Sequence, residues 1–353
     1  MSYIGRILVR SPFYISETGT SLESVQIDVT IWDGDATSDK PLNAQYTIYK
    51  TPLQSGDETI TFEISELVRD YFDHNMEAYT DTDTDFADCL WVEVIITRVD
   101  SAGITTTTNT YAANDGYGYF SDGVNPEVQE EDFTMVVLED EDIRLPVQIS
   151  IHDNNYIKFY DLNGTLRFDS GTIADGLNSQ GKISYITQSQ GTWNMSRADI
   201  GHTSSSVRYT VTFAQAEQCQ QDASEVKFYD KDGALSILWM LGRKKESINS
   251  RGDEYRKDLG GLLGGAYSYS IEKHQQQTYN ITAQESIILN SGYIPESQNG
   301  LFKQLLLSEF IWVDDEPVKL TTRNLQFKKN KEDKLINYTL NFQKSNDAIN
   351  NIY

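Results

Sequence analysis

Alternation of apolar and polar residues recurs in the first hundred residues and constrains the fold more than any other feature of the chain. In residues 24–32, SVQIDVTIW, apolar side chains occupy every second position, and residues 59–64 and 91–98 repeat the pattern. Successive side chains of a strand point to opposite faces, so a period of two predicts strands with one buried face. The apolar face is expected to form a core from Val25, Ile27, Val29, Ile31, Ile60, Phe62, Ile64, Val92, Val94 and Ile96.

Turn and helix signals divide this region into short elements. Residues 100–103 predict a turn into a threonine-rich strand over 104–110, and Ser65 is expected to cap a helix that follows it. Short strands at this spacing are typical of an immunoglobulin-like or fibronectin type III-like sandwich. We predict an acidic sandwich over 1–125 and an acidic linker over 126–133.

The middle of the chain contains an internal similarity. Residues 157–166 are IKFYDLNGTL and residues 226–235 are VKFYDKDGAL. The Asn-Gly and Asp-Gly pairs favour type I′ turns, so each segment predicts a hairpin. We therefore predict a second β-sandwich over 134–245.

The last part of the chain changes character. Leucines and a phenylalanine on one helical face predict an interface helix with Leu301, Phe302, Leu305 and Leu306, and short strands follow it. We predict a glycine-rich docking arm over 246–277 and a module of one helix and a β-meander over 278–353. The expected fold is mainly β, with tandem sandwiches followed by a small α+β module.

The docking arm is predicted from the stretch GGLLGGAYSY. A phosphate-binding loop would need Gly-Lys-Ser or Gly-Lys-Thr, and Ala266 and Tyr267 stand there instead. Either the glycines let the segment bend onto a neighbouring protein, or they form a mobile loop. The first interpretation assigns the contact to Gly260, Gly261, Gly264, Gly265, Tyr267 and Tyr269.

Charge is distributed unevenly. Residues 1–150 carry 29 Asp and Glu against 7 Lys and Arg, a net −22 within a whole-chain charge of −24. Such a surface repels phosphate backbones, so we expect no nucleic-acid partner. Asp81, Asp83 and Asp85 have calcium-loop spacing, but Phe86 stands where that loop needs glycine. They form either a solvated acidic loop or a looser calcium site, and we expect no other cofactor.

Catalytic patterns are missing from the sequence. It contains no GxSxG elbow and no zinc-ligand spacing, so we expect no enzymatic activity and no catalytic residue. No apolar run approaches the roughly 18–20 residues of a membrane span, so we expect no membrane partner. The aromatic loop around 111–120 suits a protein interface, glycan contact or ordinary packing through Tyr111, Tyr117, Tyr119 and Phe120.

Three segments of the C-terminal part resemble structural proteins of tailed bacteriophages. They are FYDKDGALSILWMLGRKKES (228–247), LNSGYIPESQNGLFKQLLLSEFIWV (289–313) and DKLINYTLNFQKSNDAIN (333–350). The resemblance covers roughly 225–353 and implies a virion component of the tail, baseplate or neck. It would be made in the host cytoplasm and bind copies of itself and other virion proteins. The alternative is an adhesin that binds a host surface glycan, with calcium as an aid.

Overall fold

The computed structural model describes residues 3–34, 36–52, 58–72, 89–127, 131–138, 141–148, 155–171, 183–189, 194–202, 207–216, 223–327 and 335–349. In these residues the fold is mainly β, with short helices and several sheets, which confirms the predicted fold class. The strands form three units that follow one another along the chain.

The first unit is a β-sandwich with one short helix. Its elements are β1 (Tyr3–Leu8), β2 (Tyr14–Gly19), β3 (Ser24–Trp32), β4 (Tyr46–Lys50), β5 (Glu58–Glu63), α1 (Ser65–Arg69), β6 (Leu90–Asp100) and β7 (Gly103–Asn114). One sheet has the order β1-β7-β6-β3-β4, with β1 parallel to β7, and β2 pairs with β5 in the other. All ten apolar residues of the predicted alternating faces are buried between the sheets.

Helix α1 begins differently from the prediction. Ser65 is its first residue, and Ile64 stands at the cap position without a side-chain hydrogen bond. The hydroxyl and the backbone N–H of Ser65 both donate to the carboxylate of Glu63. Because this carboxylate engages the serine, the hydroxyl does not cap the helix.

The second unit repeats the topology of the first. Its strands are β8 (Phe133–Leu138), β9 (Ile143–Gln148), β10 (Asn155–Asp161), β11 (Leu166–Asp169), β12 (Ile183–Gln188), β13 (Met195–His202) and β14 (Val207–Ala216). The sheets have the orders β11-β10-β13-β14-β8 and β12-β9, again with the first strand parallel to the last. In both units the second strand pairs with the fifth, and the third, sixth and seventh share the other sheet, as in an immunoglobulin-like Greek key.

The third unit combines a large sheet with a helix. Its elements are β15 (Ser224–Tyr229), β16 (Leu235–Met240), β17 (Lys245–Arg256), β18 (Gly260–Leu263), β19 (Ala266–Tyr269), β20 (Gln276–Asn290), β21 (Ile294–Pro295), α2 (Asn299–Leu307), β22 (Ile311–Val313), β23 (Glu316–Leu320), β24 (Leu335–Ile336) and β25 (Thr339–Lys344). The main sheet has the order β16-β15-β22-β23-β25-β20-β17. Helix α2 and the short pair β21-β24 contribute to the hydrophobic core of this unit.

The division between the second and third units differs from the prediction of a sandwich over 134–245. The hairpin of β15 and β16 pairs with β22, some 70 residues further along the chain, and so belongs to the third unit. The predicted range therefore combines strands of two different sheets. The similarity between 157–166 and 226–235 predicted two related hairpins, and both hairpins are present, but in different units.

That similarity comes from a shared turn. In each hairpin Oδ1 of an aspartate, Asp161 or Asp230, accepts hydrogen bonds from the N–H groups two and four residues later, at 2.8–2.9 Å. Gly164 and Gly233 have φ of 75° and 80°, and the residue before each glycine has negative φ. A type I′ turn needs positive φ at both positions, so these are type I turns followed by a left-handed glycine.

Candidate interaction sites

The longest hairpin of the third unit extends beyond its sheet. Strand β20 pairs with β25 only over residues 286–290, and the part of β20 before these residues pairs with β17 alone. We call residues 248–285 the ribbon arm. All twelve residues of β17 are exposed. The arm carries eight large exposed apolar side chains, namely Ile248, Tyr255, Leu262, Tyr267, Tyr269, Ile271, Tyr279 and Ile281.

The four predicted glycines lie at the tip of the ribbon arm, where β18 pairs with β19. Gly264 and Gly265 form the turn with φ of 62° and 88°, which fits the type I′ conformation. A Cβ on Gly260 would lie 1.6 Å from the Tyr267 hydroxyl, whereas a Cβ on Gly261 would meet nothing within 4 Å. The glycines thus shape a tight hairpin, and Tyr267 and Tyr269 are exposed on it.

Ion pairs lie at the base of the ribbon arm, where β17 and β20 extend beyond the main sheet. The Nζ atom of Lys244 lies 3.0 Å from Asp314 and 3.1 Å from Glu246. On the other strand, Nζ of Lys344 lies 2.7 Å from Glu285 and 2.9 Å from Glu316, and these hydrogen bonds raise the pKa of Lys344. Exposed ion pairs stabilise little individually, but these join the base of the arm to two neighbouring strands.

The C-terminal helix does not present the predicted interface. Phe302 and Leu305 are fully buried in the core of the third unit, and Leu301 and Leu306 pack against that core. The ring of Phe302 lies 5.0 Å from that of Tyr338. The leucine-rich face was assigned to a neighbour because the sequence does not reveal the sheet beneath it. The structure places this face inside the chain.

The aromatic loop is divided between core and surface. Tyr111 is buried in the first sandwich and Tyr117 is buried beside Arg10, whose guanidinium lies 4.9 Å from its ring centre. Tyr119 is partly exposed under Lys303, with Nζ 3.6 Å from the ring centre, and Phe120 is fully exposed. The four aromatic residues therefore share no exposed surface for a glycan.

The same loop joins the first unit to the third. The N–H of Tyr117 donates to the carbonyl of Lys231 at 2.7 Å, and Nδ2 of Asn114 donates to the carbonyl of Asp232 at 3.4 Å. Residues 114–117 thus contact the backbone of residues 230–233, and we call this contact the interunit junction. Arg69 adds an ion pair to Glu309 at 2.6 Å.

The interunit junction contains two acidic side chains with perturbed pKa values. Burial raises the pKa of Asp230. Burial, followed by the neighbouring Asp230 carboxylate, raises the pKa of Asp232 to about 7, while Lys231 and Arg6 act in the opposite direction. No sequence pattern singles out this pair, since an Asp-Gly turn normally lies in solvent.

The raised pKa of Asp232 predicts a pH-dependent stability. An unfolded aspartate titrates near pH 3.9, so the folded protein binds more protons between about pH 4 and pH 7. This contribution to the free energy of unfolding is present below pH 4 and is lost as the pH rises through 7. Replacing Asp232→Asn removes the titrating carboxyl group and should flatten the pH dependence of the free energy of unfolding. The turn itself should be kept, because Asn-Gly forms the same turn at Asn163.

The measurement is urea denaturation at pH 5 and pH 8 of the wild type, D232N and the control D142N, which removes an exposed aspartate. We expect the difference in the free energy of unfolding between the two pH values to shrink in D232N and to stay unchanged in D142N. Equal pH dependence in all three proteins would contradict the assignment.

A cavity of about 370 Å³ lies between the second sandwich and the third unit. Its lining includes four carboxylates, on Glu131, Asp132, Asp230 and Asp232, with Lys231 beside them. Among the described residues no group of His, Cys, Asp and Glu is arranged to hold a metal ion. The aspartates of the predicted calcium loop, Asp81, Asp83 and Asp85, lie outside the described residues.

Neither helix in the described ranges has the length and apolar character needed to span a bilayer. No protein-family model matches the chain, and no curated protein matches it.

Tandem-domain fragments of titin are among the similar solved structures. The "I-band fragment I67-I69 from titin" is 10% identical, with 79% of this chain and 93% of the fragment covered and a TM-score of 0.18. The "Titin Ig tandem domains A164-A165" are 11% identical, with 58% of this chain and 100% of the fragment covered and a TM-score of 0.18. Likeness at this level carries no argument, so the fold assignment rests on strand order and pairing.

Proposed function

We propose that this chain is a non-enzymatic structural protein that assembles with neighbouring proteins through the ribbon arm. One observation carries the proposal. Among the described residues the strands of the arm pair only with each other, with contacts from Ala348 and Lys344 confined to its base, and eight large apolar side chains are exposed along it. A two-stranded hairpin is marginally stable in water on its own, and soluble proteins seldom expose clustered apolar surface without a partner.

Within this proposal, the chain is a component of a tailed-phage virion, in the tail, baseplate or neck. Support comes from the resemblance of residues 225–353 to structural proteins of tailed phages. Two sandwiches of equal topology, followed by a projecting hairpin, suit a part that spans between neighbours. The four glycines contribute by shaping the tip, and the tyrosines provide contact area with a polar end.

The test removes the apolar tip without touching a core. In the variant L262S/Y267S/Y269S, the number of copies per purified particle, counted by quantitative mass spectrometry, should fall at least about 10-fold. The control Y293S also loses an exposed tyrosine, but one outside the arm, and should be incorporated normally. Thermal unfolding should be unchanged in both, because these side chains lie outside the hydrophobic cores.

Two results would contradict the proposal in different ways. Normal incorporation of the tip variant would remove the docking role of the arm. Absence of the wild-type chain from purified particles would remove the virion assignment.

A further inference from the structure

The outer edge of β17 is an open sheet edge. Among the described strands, β17 is the terminal strand of the main sheet and pairs on one side only, with β20. The opposite terminal strand, β16, lies close to β8 and β9 of the second sandwich. Open edges expose unpaired N–H and C=O groups and pair readily with another chain.

Charges of both signs line this edge. Lys244, Lys245 and Glu246 stand at its start, and Arg251, Asp253, Glu254 and Arg256 stand further along it. If two such strands pair antiparallel with Asn249 on the twofold axis, Lys245 is opposite Asp253 and Lys244 is opposite Glu254. In this register Glu246 faces Gly252 and Arg251 faces Ser247, so no two like charges are directly opposite. Opposite charges in cross-strand positions stabilise a pair, and like charges destabilise it.

We propose that β17 of one copy pairs with β17 of a second copy, antiparallel and centred on Asn249. The main sheets of two copies then become one continuous sheet across a twofold axis. Such an interface is isologous, so each copy contributes the same strand twice. The inference rests on the proposed function in taking the ribbon arm as an assembly element, and it names a second copy of this chain as the partner.

Single charge reversals provide the first test. K245E places two acidic groups opposite each other, and D253K places two basic groups there. Each should weaken the dimer at least about 10-fold, measured as the Kd from sedimentation equilibrium of the full chain. The double variant K245E/D253K restores both pairs with reversed polarity and should return the Kd to within about 3-fold of the wild type. Failure of the double variant to recover would overturn the register.

A cysteine on the axis provides the second test. In an antiparallel pair directly opposite Cα atoms lie about 4.5–5.5 Å apart, which is within the range of a disulfide. N249C should therefore form a disulfide-linked dimer under mild oxidation. The control T278C places a thiol on the neighbouring strand β20, away from the axis, and should remain monomeric on a non-reducing gel. Equal crosslinking of the two variants would overturn the proposal.

The two proposals can fail separately. A chain that stays monomeric at about 100 μM, yet needs its tip for incorporation into particles, contradicts the dimer alone. A dimer that obeys the charge cycle, together with normal incorporation of the tip variant, contradicts the docking role of the tip and leaves the β17 interface standing.

Discussion

Replacing Phe302→Ala should destabilise the third unit by roughly 3–5 kcal/mol, the usual cost of removing a buried phenylalanine. The side chain is fully buried between α2 and the main sheet, and its ring packs 5.0 Å from that of Tyr338. Truncation to alanine removes the buried ring and leaves a cavity in the core of the third unit. Amide hydrogen exchange in β22, β23 and β25 should become faster, because their protection depends on this core.

The matched control is Leu307→Ala in the same helix. Leu307 is 43% exposed, so its loss should cost less than about 1 kcal/mol and leave hydrogen exchange in the sheet unchanged. An interface role for the helix predicts a different result. In that case F302A would weaken association between chains while its unfolding curve matched that of the wild type.

Features of the fold that depend on neighbouring residues could be predicted from the sequence, and features that depend on distant segments could not. Val25, Ile27, Val29 and Ile31 alternate within one strand, and all four are buried, because a half-buried strand records its environment in its own sequence. The repeated topology of the two sandwiches was predicted only as a pair of similar domains. Parallel pairing of β1 with β7 joins distant segments, and no local pattern specifies it.

The absence of a local pattern for distant pairing also explains why the predicted sandwich over 134–245 combined strands of two units. Residues 226–235 predicted a hairpin correctly, but the partner of that hairpin, β22, lies far along the chain. A hairpin sequence specifies its own turn through Asp230 and Gly233 and says nothing about the sheet it joins. Local chemistry therefore predicted the β15-β16 hairpin but not the unit to which it belongs.

The candidate sites follow a related pattern. Gly264 and Gly265 form the tight turn between β18 and β19 at the tip of the ribbon arm, and the positive φ of both residues is one that glycine favours. The helix face of Leu301 and Phe302 was apolar as predicted, but an apolar face fits an internal sheet as well as a neighbouring protein. No sequence pattern indicated the interunit junction, since its contacts are made to backbone carbonyls, those of Lys231 and Asp232, which any residue type provides.

Replacing Gly116→Ala should disrupt this contact between the first and third units. A Cβ on Gly116 would lie 2.5 Å from the carbonyl oxygen of Lys231 and 2.9 Å from the carbonyl carbon of Asp232. Both are backbone atoms of the turn 230–233, and that turn is fixed by the Asp230 carboxylate, so neither can move cheaply. Forcing an extra methyl group into such packing typically costs 1–3 kcal/mol.

G116A should therefore separate the first unit from the third while each keeps its own core. We expect the backbone N–H of Tyr117 to lose hydrogen-exchange protection, and thermal unfolding to separate into two transitions because the units no longer stabilise each other. Gly5→Ala is the control, since a Cβ at Gly5 of the same sandwich would meet nothing within 4 Å. If G116A and G5A give the same exchange and the same unfolding, the units do not meet through this loop, and the ribbon arm and the first sandwich are not held in a fixed relation.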